Sequence, residues 1–152
     1  MRKQKGFSLI ELLIVVAIIL IIAAIAVPNL MRSRMSANEA SAVMSIRSIN
    51  SAEAMYQKDN GKYADLGTLG TATLIDSTLA AAVDATHAKS GYAFLVSNAD
   101  AAGFVVGAAP IAASSGTQQF CSDQTYVIHV AAKAFSATIP NACDPASPTV
   151  GN

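Results

Sequence analysis

Residues Phe7 to Val27 read FSLIELLIVVAIILIIAAIAV, an apolar run of 21 residues in which Glu11 is the only charged side chain. As a helix rising 1.5 Å per residue, this run is about 31 Å long and can cross the hydrocarbon layer of a membrane. Pro28 follows directly. Because a proline inside a helix removes one backbone hydrogen bond and clashes with the preceding turn, we expect a kink there.

The charges around this apolar run predict its orientation in a membrane. Three basic side chains precede it, which are Arg2, Lys3 and Lys5, and they outnumber Arg32 and Arg34 just beyond Pro28. By the positive-inside rule the N-terminus then lies in the cytoplasm, and everything after Pro28 lies outside. Over the whole chain, ten basic residues balance ten acidic ones. That balance offers no basic excess for a phosphate backbone, so we predict no sequence-specific nucleic-acid binding.

Two ordinary interpretations of the run remain open on the residues alone. One is a secretory signal peptide cut after Ala26, which would release a secreted binding module. The other is a plain membrane anchor. The run exceeds the usual 7 to 15 apolar residues of a signal peptide, and Glu11 inside hydrocarbon costs up to a few kcal/mol without a partner. A carboxylate inside the membrane therefore needs a partner that neutralises it.

The stretch from Lys5 to Val16, KGFSLIELLIVV, resembles the class III signal peptides of type IV pilins and of type II secretion pseudopilins. It has a glycine, then an aromatic residue, then a glutamate five positions after the glycine, all joined to a membrane-length helix. The resemblance implies cleavage after Gly6 by an inner-membrane prepilin peptidase, N-methylation of Phe7, and retention of the helix. It also implies that Glu11 pairs with the Phe7 amine of a neighbouring subunit during assembly.

Beyond Pro28 the helix is predicted to continue as an amphipathic segment over residues 29–58. Apolar residues recur at helical spacing in one stripe, namely Met35, Ala42, Ile46, Ile49 and Tyr56. We interpret this stripe as the face that packs under a C-terminal domain. A methionine-rich partner groove is the alternative, formed by Met31, Met35, Met44 and Met55. The sequence Asp59-Asn60-Gly61 then ends the helix with a C-cap and a turn.

Residues 59–152 are predicted to form an α+β head. Residues 62–90 connect the helix to the sheet, with a loop or short helix at 63–69 and a second short helix at 80–88. Three segments rich in aromatic or β-branched residues predict an antiparallel meander, namely Gly91–Ser97, Gly103–Ala109 and Gln124–Ala131. A short hairpin connection lies at 98–102 and a longer loop at 110–118.

The two cysteines, Cys121 and Cys143, are predicted to form a disulfide, because the expected orientation exports both to an oxidising compartment. Such a bond would close a loop of 23 residues and hold the C-terminal tail on the sheet. His87 and His129 are far apart in sequence, and Asp123 is interpreted as a cap or Asx-turn residue. With no catalytic or phosphate-binding motif and no metal-ligand spacing, we predict no enzyme activity, cofactor or metal site.

The resemblance implies the function of a structural subunit of a type IV pilus, used in adhesion, twitching motility or DNA uptake. Its expected partners are copies of itself, the prepilin peptidase, the pilus assembly platform and, before assembly, membrane lipid. It would span the inner membrane once and later become part of an extracellular filament. A type II secretion pseudopilin is the alternative. The predicted divisions are a cleaved leader 1–6, an apolar helix 7–28, an amphipathic helix 29–58 and a head 59–152.

Overall fold

A computed structural model describes residues 7–132 and 135–150. These residues form two compact units, one ending at Arg34 and the other beginning at Met35, and α1 contributes to both. The predicted α+β class, with a long N-terminal helix and an antiparallel sheet, is confirmed. The elements in chain order are α1 (Leu9–Asn60), α2 (Leu66–Thr71), α3 (Ser77–Ala81), β1 (Tyr92–Ser97), β2 (Val105–Pro110), β3 (Gln119–Asp123) and β4 (Ile128–Ala132).

In the first unit, the large apolar side chains of α1 are exposed from Leu9 to Met31. A window of 18 residues has a mean hydropathy of 3.3, so this helix is long and apolar enough to cross a membrane. The helix runs through Pro28 without ending, and the side-chain amide of Asn29 donates to the carbonyl of Ile25 at 3.0 Å. The kink at Pro28 stays a prediction.

In the second unit, the predicted apolar stripe of α1 packs into the core. Ala42, Ile46 and Ile49 are buried, and Tyr56 packs against the same cluster. The alternative of a methionine-rich partner groove stays a prediction: Met31, Met44 and Met55 are exposed, and Met35 is partly buried. The helix ends at Asn60, two residues later than predicted. Gly61 then has a φ of +70° and donates its N–H to the carbonyl of Gln57 at 2.8 Å, as a C-cap glycine does.

The sheet is a four-stranded antiparallel meander in the order β1-β2-β3-β4. Phe94 of β1 faces Ala108 of β2, which in turn faces Phe120 of β3. All three are buried in the core that also contains the α1 stripe. The small alanine between two phenylalanines lets both rings pack on the same side of the sheet.

The prediction of three strands was wrong in number, and the third was misplaced. β3 lies at 119–123, where no strand was expected, and β4 begins at Ile128 rather than at Gln124. A tight turn separates them: the Asp123 carboxylate accepts the backbone N–H of Thr125 at 2.8 Å, and Tyr126 has a φ of +62°. The polar sequence QFCSD hid β3, although Phe120 and Cys121 in its middle are buried.

The helix predicted at 80–88 was also wrong in its position. α3 begins earlier, because the Asp76 side chain caps it by accepting the N–H of Leu79 at 2.9 Å, and it ends at Ala81. Further on, the Asp84 carboxylate accepts the backbone N–H groups of Thr86 and His87 at 2.8 and 2.9 Å. These local bonds favour a turn over a helix and outweigh the helix propensity of the alanines.

The C-terminal tail lies on the sheet, where the disulfide joins Cys143 to Cys121 of β3 across a Cα–Cα distance of 5.5 Å. The Gln119 side-chain amide donates to the carbonyl oxygens of Ser136 and Thr138 at 2.9 and 2.6 Å. Beside β4, the N–H of Val130 donates to the carbonyl of Pro148 at 2.8 Å. These contacts attach the tail to both β3 and β4.

Candidate processing and assembly site

Glu11 lies in the first turn of α1, where its carboxylate returns to the start of its own helix. Its Oε2 accepts the backbone N–H of Ser8 at 2.9 Å, and the N–H of Leu12 donates to the carbonyl of Ser8 at 3.2 Å. Ser8 therefore occupies the N-cap position and Glu11 the third helical position, so the carboxylate makes its half of a capping box. A negative group here also interacts favourably with the positive end of the helix dipole.

This cap was not predicted from the sequence. The signal was present as Ser8-x-x-Glu11, which is the capping-box spacing ahead of an apolar run. It was missed because Glu11 was considered only as a charge in need of a partner. The geometry gives Glu11 one partner within the chain itself, and it leaves further acceptor capacity on the carboxylate.

Phe7 precedes the capped turn and is 77% exposed. A free amine at Phe7 would stand one residue before Ser8, whose N–H already binds the Glu11 carboxylate. Gly6 and the rest of the leader at 1–6 lie outside the described residues. Cleavage after Gly6, methylation of Phe7 and pairing of Glu11 between subunits therefore stay predictions.

Elsewhere in the described residues, the titratable groups serve local structure. His87 lies in the turn after α3, 3.0 Å from the Asp84 carboxylate, and not in the helix predicted for it. His129 lies in β4 with its Nδ1 2.8 Å from the carbonyl oxygen of Ser147. Asp123 forms an Asx turn with Thr125. In residues 7–132 and 135–150 no group of three His, Cys, Asp or Glu side chains is arranged to hold a metal ion.

Comparison with known proteins gives this N-terminal geometry a context. Residues 1–27 match the family model of the prokaryotic N-terminal methylation motif. The chain is 48% identical over 63 residues to the type IV wide pilus major component PilA4 of Thermus thermophilus, covering 41% of this chain and 48% of that protein. The chain is thus similar, in its N-terminal part, to the superfamily of type IV pilins and type II secretion pseudopilins. The matched range includes both Ser8 and Glu11.

Both branches of the superfamily are represented among the relatives. The type II secretion system core protein G of Escherichia coli is 34% identical over 90 residues, which are 59% of this chain and 61% of that protein. The protein of the same name from Vibrio cholerae is 43% identical over 63 residues, 41% of this chain and 43% of that protein. The chain thus spans from under half to just under two thirds of the length of these relatives.

Proposed function

We propose that this chain is a structural subunit of a type IV pilus and carries no catalytic activity. The observation that carries the proposal is the placement of Glu11. It is a single carboxylate at the capped start of an apolar helix whose large side chains are exposed. Once cleavage frees the Phe7 amine, the same carboxylate can hold the amine of a second subunit, because its oxygens accept more than the one bond from Ser8.

The exposed apolar surface of α1 supplies the driving force for polymerisation. In a membrane monomer this surface contacts lipid, and in a filament it contacts the same surface of other subunits with tighter packing. Because such contacts run head to tail and do not close, they produce a filament instead of a ring. In this account the leader 1–6 is removed, residues 7–28 form the filament core, and the head from residue 59 onward faces outward. The kink expected at Pro28 would adapt the core helix to the filament.

The expected partners follow from this proposal. They are further copies of the chain, the prepilin peptidase, the assembly platform of the inner membrane and the lipid that holds the subunit before assembly. The subunit would be inserted with its N-terminus in the cytoplasm and would end in an extracellular fibre. Adhesion, twitching motility and DNA uptake are the functions that such a fibre would serve.

A type II secretion pseudopilin is the second candidate function. The similarity to the Escherichia coli core protein G covers 59% of the chain, against 41% for the wide-pilus component, although the identity is lower. Both candidates use the same N-terminal helix. They differ in the assembly platform and in whether the filament leaves the cell.

Deletion of the gene in the native cell distinguishes the two candidates. We expect surface fibres to disappear, to return when the wild-type gene is supplied, and to contain this chain as their main protein after shearing. Secretion of folded proteins into the medium should be unchanged. Normal fibres together with a loss of that secretion would overturn the pilus proposal in favour of the pseudopilin.

A further inference from the structure

Glu53 is the one acidic side chain of α1 that the structure buries completely. It lies in the second unit, which begins at Met35. Its Oε2 accepts the backbone N–H of Ala64, in the loop after α1, at 3.0 Å. Its Oε1 has no hydrogen-bond partner within the described part of the chain. Within the described residues, Glu53 therefore makes the only side-chain hydrogen bond between α1 and this loop. One of its two carboxyl oxygens has no partner.

Asn50 lies one helical turn before Glu53 and has a matching deficit. Its Nδ2 donates to the hydroxyl of Ser122 in β3 at 2.9 Å, while its Oδ1 accepts no hydrogen bond from any described residue. Residues three apart on a helix face the same side. Two buried acceptor oxygens on one helix face need a donor, and the acid form of Glu53 supplies one O–H group.

The charges that face Glu53 favour this acid form. Among residues 7–132 and 135–150, no lysine, arginine or histidine forms an ion pair with it. The titratable groups near it are the Asp65 carboxylate of the loop and the phenol of Tyr126, whose hydroxyl lies 3.5 Å from that of Tyr63. Burial raises the pKa of Glu53 to about 7; the hydrogen bond from Ala64 opposes this, and the charge of Asp65 adds to it.

We propose that Glu53 is a pH-sensitive latch. Its protonated carboxyl group is tolerated beneath the closed loop at Ala64, whereas ionisation favours an open loop in which water hydrates the carboxylate, because the lost hydration outweighs the stronger hydrogen bond from Ala64. The loop begins at the C-cap of α1 and leads into α2, whose cap is Asp65. Loosening at Ala64 would therefore release the start of the connection between the long helix and the sheet. Both Glu53 and Ala64 lie in the second unit, and the latch would act in either kind of filament.

The direction of the pH effect follows from the two protonation states. The folded chain keeps the proton of Glu53 up to a pH of about 7, whereas the unfolded chain loses it near 4.5. Between these values the folded state binds more protons than the unfolded state, so the free energy of unfolding falls as the pH rises. The stabilisation by the acid form is complete below about pH 4.5 and is lost as the pH rises through about 7.

The test uses the full mature chain in detergent micelles, as wild type, as Glu53→Gln and as Glu39→Gln. Glutamine keeps an acceptor oxygen for Ala64 and an N–H donor group but cannot ionise. Glu39→Gln is the matched control, because Glu39 is a second α1 carboxylate that accepts loop N–H groups but is only partly buried. The readouts are the thermal midpoint from about pH 4.5 to 8.5 and the hydrogen-exchange protection of the Ala64 amide, corrected for intrinsic exchange.

We expect the thermal midpoint of the wild type and of Glu39→Gln to fall by about 5 °C or more across this range. The protection of Ala64 should fall about tenfold or more, centred near pH 7. Glu53→Gln should show neither change. A wild-type pH dependence that survives in Glu53→Gln, or its absence from the wild type, would overturn the latch. If Glu53→Gln does not fold, the carboxyl carbon resonance of Glu53 decides: titration near pH 4.5 refutes the proposal, and titration near pH 7 supports it.

Discussion

The backbone oxygen of Pro140 packs against Gly107, in the space that a Cβ atom on that residue would occupy. Gly107 lies in β2 opposite Cys121 of β3, which is joined to Cys143 three residues after Pro140. The tail therefore crosses the sheet at the one position of β2 that has no side chain. This close approach, together with the disulfide, fixes where the tail lies.

Substitution Gly107→Ala should displace the tail. The added methyl group would overlap the oxygen of Pro140 and crowd the side chain of Ile139, at a cost of about 1–3 kcal/mol in the free energy of unfolding. The measurements are thermal unfolding of the full chain and the rate of limited proteolysis within 133–150. Gly67→Ala is the control, because a Cβ there meets only the end of the exposed Asp65 side chain. Equal stability and equal proteolysis of the two variants would refute the role of Gly107.

Reduction of the disulfide between Cys121 and Cys143 should destabilise the head by about 3 kcal/mol if the bond acts by restricting the unfolded chain. The experiment compares thermal midpoints with and without reductant for the wild type and for a variant in which both cysteines are serine. The double variant should match the reduced wild type and should not respond to reductant. Two reactive thiols in the denatured, unreduced protein would show that the bond is absent.

The sequence predicts much of this fold because two of its signals are strong. An apolar run of membrane length and a stripe such as Ala42, Ile46 and Ile49 have no good alternative to a helix, and β1 and β2 are rich in residues that favour strands. β3 was missed because its sequence is largely polar and its burial comes from tertiary pairing, in which Phe120 faces Ala108 of β2 and Val130 of β4. The helix at 80–88 failed because single aspartates set caps and turns that a run of alanines conceals.

The candidate site could be predicted only in part for a similar reason. The spacing of Gly6, Phe7 and Glu11 is a local signal that one short segment carries completely. The sequence gives no such signal for Glu53. Its burial from solvent depends on the loop that contains Ala64 and on the turn that contains Tyr126, and both lie beside it only in the folded chain. A carboxylate in an amphipathic helix is ordinarily a solvated one. Its burial follows from tertiary packing.

Glu39 should stabilise the loop before β3. Its Oε1 accepts the N–H groups of Thr117 and Gln118 at 2.9 and 3.3 Å, which are two backbone donors satisfied by one side chain of α1. Glu39→Ala should lower the free energy of unfolding by about 1–3 kcal/mol, whereas Glu39→Gln, which retains the accepting oxygen, should lose less. Thermal unfolding of both variants measures this difference. If alanine and glutamine cost the same, the hydrogen bonds to the loop do not contribute.

Glu11 should be needed for assembly and not for the fold of the head. A Phe7 amine left without its carboxylate in the filament core carries a penalty of about 3–5 kcal/mol, so Glu11→Ala should give few or no fibres. Glu11→Asp should be intermediate, because its carboxylate is one methylene shorter. Glu11→Gln separates the two roles, since it can still accept the Ser8 N–H but has no charge, and it should assemble as poorly as alanine.

Quantification of sheared fibres, normalised to processed subunit in the membrane, measures these effects. Ser8→Ala is the matched control, because it leaves both the Ser8 backbone N–H and the Glu11 charge in place. It should assemble close to normally. Normal yield and stability of fibres from fully processed Glu11→Ala would exclude the charge pair.

The most direct test of the whole account is the mass of the N-terminal peptide of this chain, taken from fibres sheared off the native cell. The account predicts a peptide that begins at Phe7, carries one additional methyl group on its amine, and retains Glu11 and the apolar sequence that follows it. A mature chain that begins at Val27 and is recovered from the medium, not from fibres, would contradict it.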